Sequence, residues 1–393
     1  MPEARRKSLV VVVGTLNGGG AEKVAATLGA SLGKRGWDVR FVLANADSDD
    51  GTYAPVLAAA GVPVERLPVF RKFATLRKLL PLRRAIVRAK TDVVLSFLVY
   101  TNILSALALF GSGIPLVPAE RNNYRVHLAA DRRGRAMRGL LKFVYGLPHV
   151  RAITAVSERL AEMIAEDFAP GKPVVAIPNG LDVAALERAM AAELAPEELA
   201  LFGEQTVIAC GRLTPQKNFA LLLRAFARGG PFSKQARLIV LGQGELEGEL
   251  RALAEELGIA DRVAFPGFRA NPHAWVSKAT LFVLSSDFEG CPNALAEALF
   301  TNGCCVSTDC PTGPAELVDD GVDGLLVPRG DERALSDAIE TLLSDAALRA
   351  RLSKKARARA AANSLEARTD AFDALLREAA GFAEPRPAEV RDD

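Results

Sequence analysis

The chain lacks a long apolar run: no stretch approaches the roughly 20 residues needed to cross a bilayer, so no membrane-spanning helix is expected. The opening MPEARRKSLVVVVG leads straight into a strand and a glycine loop, and a signal peptide is not expected there either. Its five cysteines, Cys210, Cys291, Cys304, Cys305 and Cys310, include no CxxC pair and sit in or beside apolar strands. That spacing speaks for reduced core thiols rather than a disulfide framework or a cysteine metal site. Aromatics are scarce, at 6%, and the net charge is only +2. With so few aromatics among the basic residues, nucleic acid is not an expected partner. Missing, finally, is any complete phosphate-binding fingerprint. The loop Gly14 to Gly20 (GTLNGGG) has no GK[ST] ending, and the third glycine of a dinucleotide motif would fall on Lys23.

What is present is enough chain for two domains, 393 residues, with the hydrophobic content of an ordinary globular protein. Leu9 to Val13 is a continuous, mostly β-branched run, as expected of a strand buried on both faces of a parallel sheet. The glycine loop, the helical pattern AEKVAATLGASLGKRG and a second strand, Val39 to Leu43, complete a β-loop-α-β unit. Gly18, Gly19 and Gly20 let backbone approach a ligand at a helix start, although a plain tight turn would use the same residues. Asp47-Ser48-Asp49 has the form of a DxD metal motif but lies in a polar run and reads as a solvated turn.

Further strands at Asp92 to Phe97, Ile114 to Val117, Ala152 to Val156 and Val174 to Ile177 carry the first series to the turn Pro178-Asn179-Gly180. A second α/β series begins at Val207 to Cys210 and continues through Arg237 to Leu241, Val263 to Phe265, Leu281 to Leu284 and Cys304 to Ser307. The expected fold is therefore α/β, with two Rossmann-like domains facing each other across a ligand cleft. The boundaries expected are 1–180, a helix-prone linker 181–205, a second domain 206–362, a C-terminal helix 363–382 that can pack back on the first domain, and a disordered tail 383–393.

Basic residues crowd into segments 66–90 and 125–142, where they alternate with Phe70, Leu76, Leu80, Met137 and Phe143. Such a pattern suits helices lying on an anionic membrane surface, and equally an ordinary amphipathic helix with a solvated basic face. Two such segments in one domain favour the membrane.

In the second half, Arg212 and Lys217 follow one strand, and Glu289 and Glu297 stand eight residues apart across a helix opened by Pro292. A planar fork and an ammonium at that spacing suit a diphosphate. Gly290, Asn293, Ala294 and Leu295 add backbone amides at the positive end of the helix. Carboxylates would repel phosphate but accept hydrogen bonds from the vicinal hydroxyls of a sugar or ribose. Diphosphate cations combined with hydroxyl acceptors describe a site for a nucleotide sugar.

These segments, GRLTPQKN, EGCPNALAE, IPNGLD and GGAEKV, resemble the GT-B glycosyltransferases of family 4, retaining enzymes that use nucleotide-sugar donors, along almost the whole chain. STDCPTGPAELVDDGVDGLLVP, SFL-x-x-TN and ERNN look most like the members that add N-acetylgalactosamine or related hexoses to polyprenyl-diphosphate-linked glycans. The resemblance implies that Arg212 and Lys217 hold the donor diphosphate, that Glu289 contacts the donor sugar and that Glu297 takes the ribose hydroxyls. It implies no metal or other cofactor. Many family members carry a histidine after the fourth or fifth strand; here Glu120, Arg121 and Asn122 hold that place and His127 follows, which makes these four the candidate acceptor side.

The expected activity is transfer of a hexose or N-acetylhexosamine from a UDP-sugar to a lipid-linked or oligosaccharide acceptor, in the cytoplasm at the inner face of the plasma membrane. Two rivals are a nicotinamide-dependent oxidoreductase, disfavoured by the broken glycine motif, and a non-catalytic two-lobed sugar-binding protein, which has no need of Arg212 and Lys217.

Overall fold

The computed structural model describes residues 6–17, 19–45, 51–69, 74–128, 132–168 and 171–382. They form two compact units, one built from residues up to Pro178 together with those from Glu366 onward, the other from Asn179–Leu365.

The first unit runs β1 (Lys7–Val13), α1 (Gly20–Lys34), β2 (Trp37–Leu43), α2 (Ala54–Ala59), β3 (Val64–Arg66), α3 (Ala74–Arg88), β4 (Val93–Phe97) and α4 (Val99–Ala108). It continues with β5 (Leu116–Glu120), α5 (Tyr124–His127), α6 (Arg132–Tyr145), β6 (Ile153–Ala155), α7 (Glu158–Asp167) and β7 (Val174–Ala176). The seven strands are ordered β3-β2-β1-β4-β5-β6-β7, and all pair in parallel. The valine run of β1 is buried along almost its whole length, because helices cover both faces of a parallel sheet.

The second unit opens with α8 (Val183–Met190), α9 (Pro196–Leu199), β8 (Thr206–Cys210), α10 (Phe219–Arg228), α11 (Pro231–Gln235), β9 (Arg237–Leu241), α12 (Glu247–Glu256) and β10 (Val263–Gly267). Then follow α13 (Pro272–Val276), β11 (Leu281–Leu284), α14 (Asn293–Thr301), β12 (Cys305–Asp309), α15 (Pro314–Leu317), β13 (Leu325–Pro328), α16 (Glu332–Ser344) and α17 (Ala346–Ala362). Its six strands are ordered β10-β9-β8-β11-β12-β13, again all parallel.

The segment 181–205 is an integral part of the second unit, since Leu181 and Leu186 are buried in one core with Trp275 and Leu295. Helix α16 stops at Ser344, and the Asp345 carboxylate caps α17 by accepting from Leu348 N at 2.8 Å. The last helix, α18 (Leu365–Ala379), places Phe372 and Leu376 in the core of the first unit beside Leu28, Leu32 and Phe41. All five cysteines are free thiols, and burial pushes those of Cys304 and Cys310 up to about 12.

In each sheet the chain builds outward on one side of its first strand and then resumes on the other. That creates a switch point between β1 and β4 in one unit and between β8 and β11 in the other, with the crevice lying at the carboxyl ends of the strands. Among the described residues, non-glycine positions with positive φ are few, and Leu98 (φ 73), Asn218 (φ 43) and Thr312 (φ 66) follow β4, β8 and β12 at those carboxyl ends. Strain of this kind is tolerated where surrounding structure over-determines the backbone.

Candidate active site

Two loops leave the switch point of the second unit. The loop after β8 carries Arg212, a short 3-10 turn at Pro215–Lys217, and Asn218 in the left-handed region. Asn218 caps α10 by accepting from Leu221 N at 3.1 Å and reaches across with its amide to Asp287 Oδ1 at 3.1 Å. The loop after β11 answers with Ser285 Oγ donating to the Lys217 carbonyl at 2.8 Å and Asp287 N donating to the Gln216 carbonyl at 2.9 Å. So laced, the loops bring Lys217 Nζ within 2.6 Å of Glu289 Oε1.

That pair is largely withdrawn from water: the Lys217 side chain is 16% exposed and that of Glu289 8%. A pair so placed depends on further hydrogen bonds to offset its desolvation. Ser286 Oγ donates to Glu289 Oε1 at 2.7 Å, Gln216 Nε2 stands 3.4 Å from Oε2, and Thr312 Oγ1 holds the Glu289 carbonyl. Arg212 is exposed at the mouth of the same loop.

Close backbone approach supports the arrangement from below. A Cβ on Gly242, whose φ is 139°, would fall 1.8 Å from the Gly211 carbonyl oxygen, so the loop after β9 can nest under the β8 loop only with glycine there. Gly313 does the same under the start of α14, where a Cβ would meet Gly290 O and Pro292 Cδ, each at 2.8 Å. Helix α14 then starts at Asn293 without a side-chain cap, leaving its first N–H groups, of Asn293 and Ala294, outside the helical ladder and beside Gly290. Leu295, expected to add an amide, is buried in the core and gives its N–H to the Pro292 carbonyl at 3.0 Å, so it has neither side chain nor amide to offer a ligand. Asn293 Oδ1 accepts from Asn179 Nδ2 at 2.6 Å.

Glu297 is not drawn into the Lys217 cluster. It sits on α14 with a carboxylate oxygen 3.8 Å from His273 Nε2 on α13. The sequence reading missed His273, Ser286, Gln216 and Thr312. The only signal for the last three is their position beside Lys217, Glu289 and Gly313.

In the first unit, Gly19 stands before the first residue of α1, Gly20, while Gly18 lies outside the described residues, as do Asp47, Ser48 and Asp49. No cluster of three or more metal-ligating side chains occurs among the described residues.

The four residues named for an acceptor are placed very unevenly. Glu120 is 1% exposed, and its Oε1 accepts from Tyr145 Oη and from Asn102 Nδ2, the latter at 2.9 Å. Its Oε2 is buried without a hydrogen-bond partner, and burial raises its pKa from 4.5 to about 7. Arg121 is also buried, donating to the Ile177 carbonyl at 3.0 Å and lying over the rings of Phe97 and Phe372. These two face the interior rather than a ligand. Asn122 is exposed, and His127 closes the short helix α5.

The basic segments also divide. Lys78 is buried and donates to Asn45 Oδ1 at 2.7 Å, and Arg83 donates to the Ala108 and Phe110 carbonyls at the end of α4. Arg125 pairs with Asp167 at 2.9 Å. What remains outward on α3 is Leu76, Leu80 and Val87, which at about 100° per residue lie within roughly 40° of one another, flanked by exposed Arg77, Arg84 and Arg88. No helix among the described residues is long and apolar enough to cross a membrane.

Two units, each a parallel sheet of Rossmann type, form the architecture of the GT-B class of glycosyltransferases. Two family models match: Glycosyltransferase Family 4 over residues 18–185 and Glycosyl transferases group 1 over residues 192–359. Together they span most of the chain, which belongs to glycosyltransferase family 4.

A Campylobacter jejuni relative named GalNAc-alpha-(1->4)-GalNAc-alpha-(1->3)-diNAcBac-PP-undecaprenol alpha-1,4-N-acetyl-D-galactosaminyltransferase is 29% identical over 88% of this chain and 92% of its own. A second from that organism, an N-acetylgalactosamine-N,N'-diacetylbacillosaminyl-diphospho-undecaprenol 4-alpha-N-acetylgalactosaminyltransferase, is 37% identical, but the match spans only 46% of this chain and 48% of that protein. Among solved structures, Anabaena HepE in complex with UDP superposes with a TM-score of 0.79 at 21% identity, covering 95% of this chain and all of that one.

Proposed function

We propose that the enzyme transfers a hexose or N-acetylhexosamine, with retention, from a UDP-sugar to a lipid-linked glycan acceptor in cell-surface glycan biosynthesis. The observation that carries this is the Lys217–Glu289 pair, set at the β8/β11 switch point beside Arg212 and the start of α14. Lys217 gives one of its three N–H donors to Glu289, which leaves the others, with the Arg212 fork and the amides of Asn293 and Ala294, to meet a diphosphate. Lys217 and the two amides are fixed before the donor arrives. They stabilise the charge that grows on the departing diphosphate, and catalysis is then mainly positioning and electrostatics, with no metal or other cofactor called for.

The remaining carboxylates fit hydroxyl-rich parts of the donor: Glu289 the sugar, and Glu297 the ribose. The Campylobacter relatives, named for undecaprenol-linked substrates, support the lipid-linked acceptor, and the UDP bound by HepE supports the nucleotide. For the membrane, the support is the apolar stripe of α3 bordered by three arginines, with Phe110, Met137 and Phe143 also exposed. Such a face would rest on an anionic leaflet at the cytoplasmic side.

The test is to incubate the protein with a panel of UDP-sugars and a polyprenyl-diphosphate-linked glycan and to record UDP release and the anomeric configuration of the product by NMR. Transfer with the donor's anomeric configuration kept is the expected result. Absence of turnover with every donor, or an inverted product, would refute the assignment.

A further inference from the structure

The two oxygens of Glu289 are held unequally. Oε1 accepts two strong hydrogen bonds, from Lys217 Nζ at 2.6 Å and from Ser286 Oγ at 2.7 Å. Oε2 has only the Gln216 amide at 3.4 Å, and that amide makes its better bond, 2.9 Å, to the Phe288 carbonyl. Ser286 is fully buried in the loop just after β11, and its own carbonyl accepts from Thr308 Oγ1 at 2.6 Å, so its hydroxyl has a fixed origin. The Glu289 backbone is pinned in turn by the Thr312 hydroxyl.

A carboxylate saturated at one oxygen and nearly open at the other is a directed acceptor, with lone pairs still available on the open side. We propose that Ser286 and Gln216 are positioning residues for sugar transfer. Ser286 locks the Oε1 side of Glu289 against Lys217, Gln216 limits rotation of the carboxylate, and Oε2 is thereby presented to a hydroxyl of the transferred sugar. A buried serine hydroxyl in a purely structural role is satisfied by any neighbouring carbonyl; this one is committed to the charged group of the site. The inference rests on Glu289 contacting the donor sugar.

The experiment compares Ser286→Ala, Ser286→Thr and Gln216→Ala with wild type, using a UDP-sugar that wild type turns over. It measures kcat, KM, the affinity for UDP alone and the melting temperature. Expected for Ser286→Ala is a fall in kcat of about 10- to 100-fold, the range for losing an outer partner that orients a functional side chain, with UDP affinity changed less than about threefold because UDP lacks the sugar. Ser286→Thr, which keeps the hydroxyl, recovers part of the loss. Gln216→Ala, on the partly exposed rim, shows the same split at about three- to tenfold and decides the matter if Ser286→Ala fails to fold.

Unchanged kcat in folded Ser286→Ala or in Gln216→Ala overturns the inference, as does parallel loss of UDP affinity and turnover. If wild type itself turns over no UDP-sugar, the donor assignment falls and this inference with it. An active wild type beside unaffected variants removes the inference alone.

Discussion

Two carboxylates stand at the carboxyl ends of strands, Glu289 after β11 in the second unit and Glu120 closing β5 in the first, and both are almost wholly buried. Their partners differ. Glu289 faces an ammonium at 2.6 Å, whereas Glu120 meets only the neutral donors of Tyr145 and Asn102 and keeps one oxygen unpartnered. A buried carboxylate with a cation can stay charged and act on a ligand; one without a cation is driven towards its neutral form and becomes part of the framework. Position at a strand end is therefore not enough to mark a functional acid. The partner decides.

Substitutions on each side probe that contrast. The largest expected effect is on the charged side. Lys217→Ala removes the cation and leaves Glu289 buried and uncompensated, so turnover should fall by at least about a hundredfold and stability by about 2 kcal/mol or more. Adding Glu289→Gln to Lys217→Ala should recover much of that stability and none of the activity. Additive losses in a double-mutant cycle followed by denaturant unfolding would show that the two side chains do not act as a pair.

On the neutral side the sign of the effect follows from linkage. Because Glu120 titrates at about 7 when folded and near 4.5 when unfolded, the stability linked to its protonated form is fully present below 4.5 and is lost as pH rises through about 7. The total is about 3 kcal/mol at most. Glu120→Gln, fixed neutral, should gain on wild type in thermal melts as pH goes from 5 to 8; a difference independent of pH would mean that Glu120 is ionised throughout.

Next is the packing under the loops after β8 and β11. Gly242→Ala forces a Cβ against the Gly211 carbonyl at a φ that suits only glycine, and should lower stability by about 2 kcal/mol in denaturant unfolding. An unperturbed variant would mean that the β8 and β9 loops have room to part. The smallest effect is at the surface. Leu76→Ser with Leu80→Ser should reduce binding to anionic liposomes several-fold at low salt and leave hydrolysis of soluble donor untouched. Equal binding would assign those leucines to something other than a membrane.

Much of the fold was legible because the parallel sheets write themselves as apolar runs: the VVVV of β1 has few other places to go. One edge strand of each sheet was not: Val64–Arg66 in the first and Leu325–Pro328 in the second are brief and partly exposed, whereas Val174–Ala176 and Val263–Gly267 at the opposite edges could be read. Lys217 and Glu289 could be picked out by residue type and spacing, but their contact could not, since it depends on β8 and β11 being sheet neighbours although the two residues are 72 positions apart in the chain.

Ser286, Gln216 and Thr312 are ordinary loop residues until that neighbourhood exists. The opposite error occurred in the first unit, where Glu120, Arg121, Lys78 and Arg83 read as outward charges and prove to be turned inward, onto neutral donors, carbonyls and rings. Charge at a strand end or on a helix shows in sequence; the direction of the side chain emerges only once the helices have packed.

If the second unit holds the donor diphosphate at its β8/β11 switch point through Lys217, UDP titration by calorimetry will separate wild type from Lys217→Ala. Saturable UDP binding by wild type, weakened at least tenfold in a Lys217→Ala variant that melts as a folded protein, is the predicted result. Equal UDP affinity in the two would contradict it.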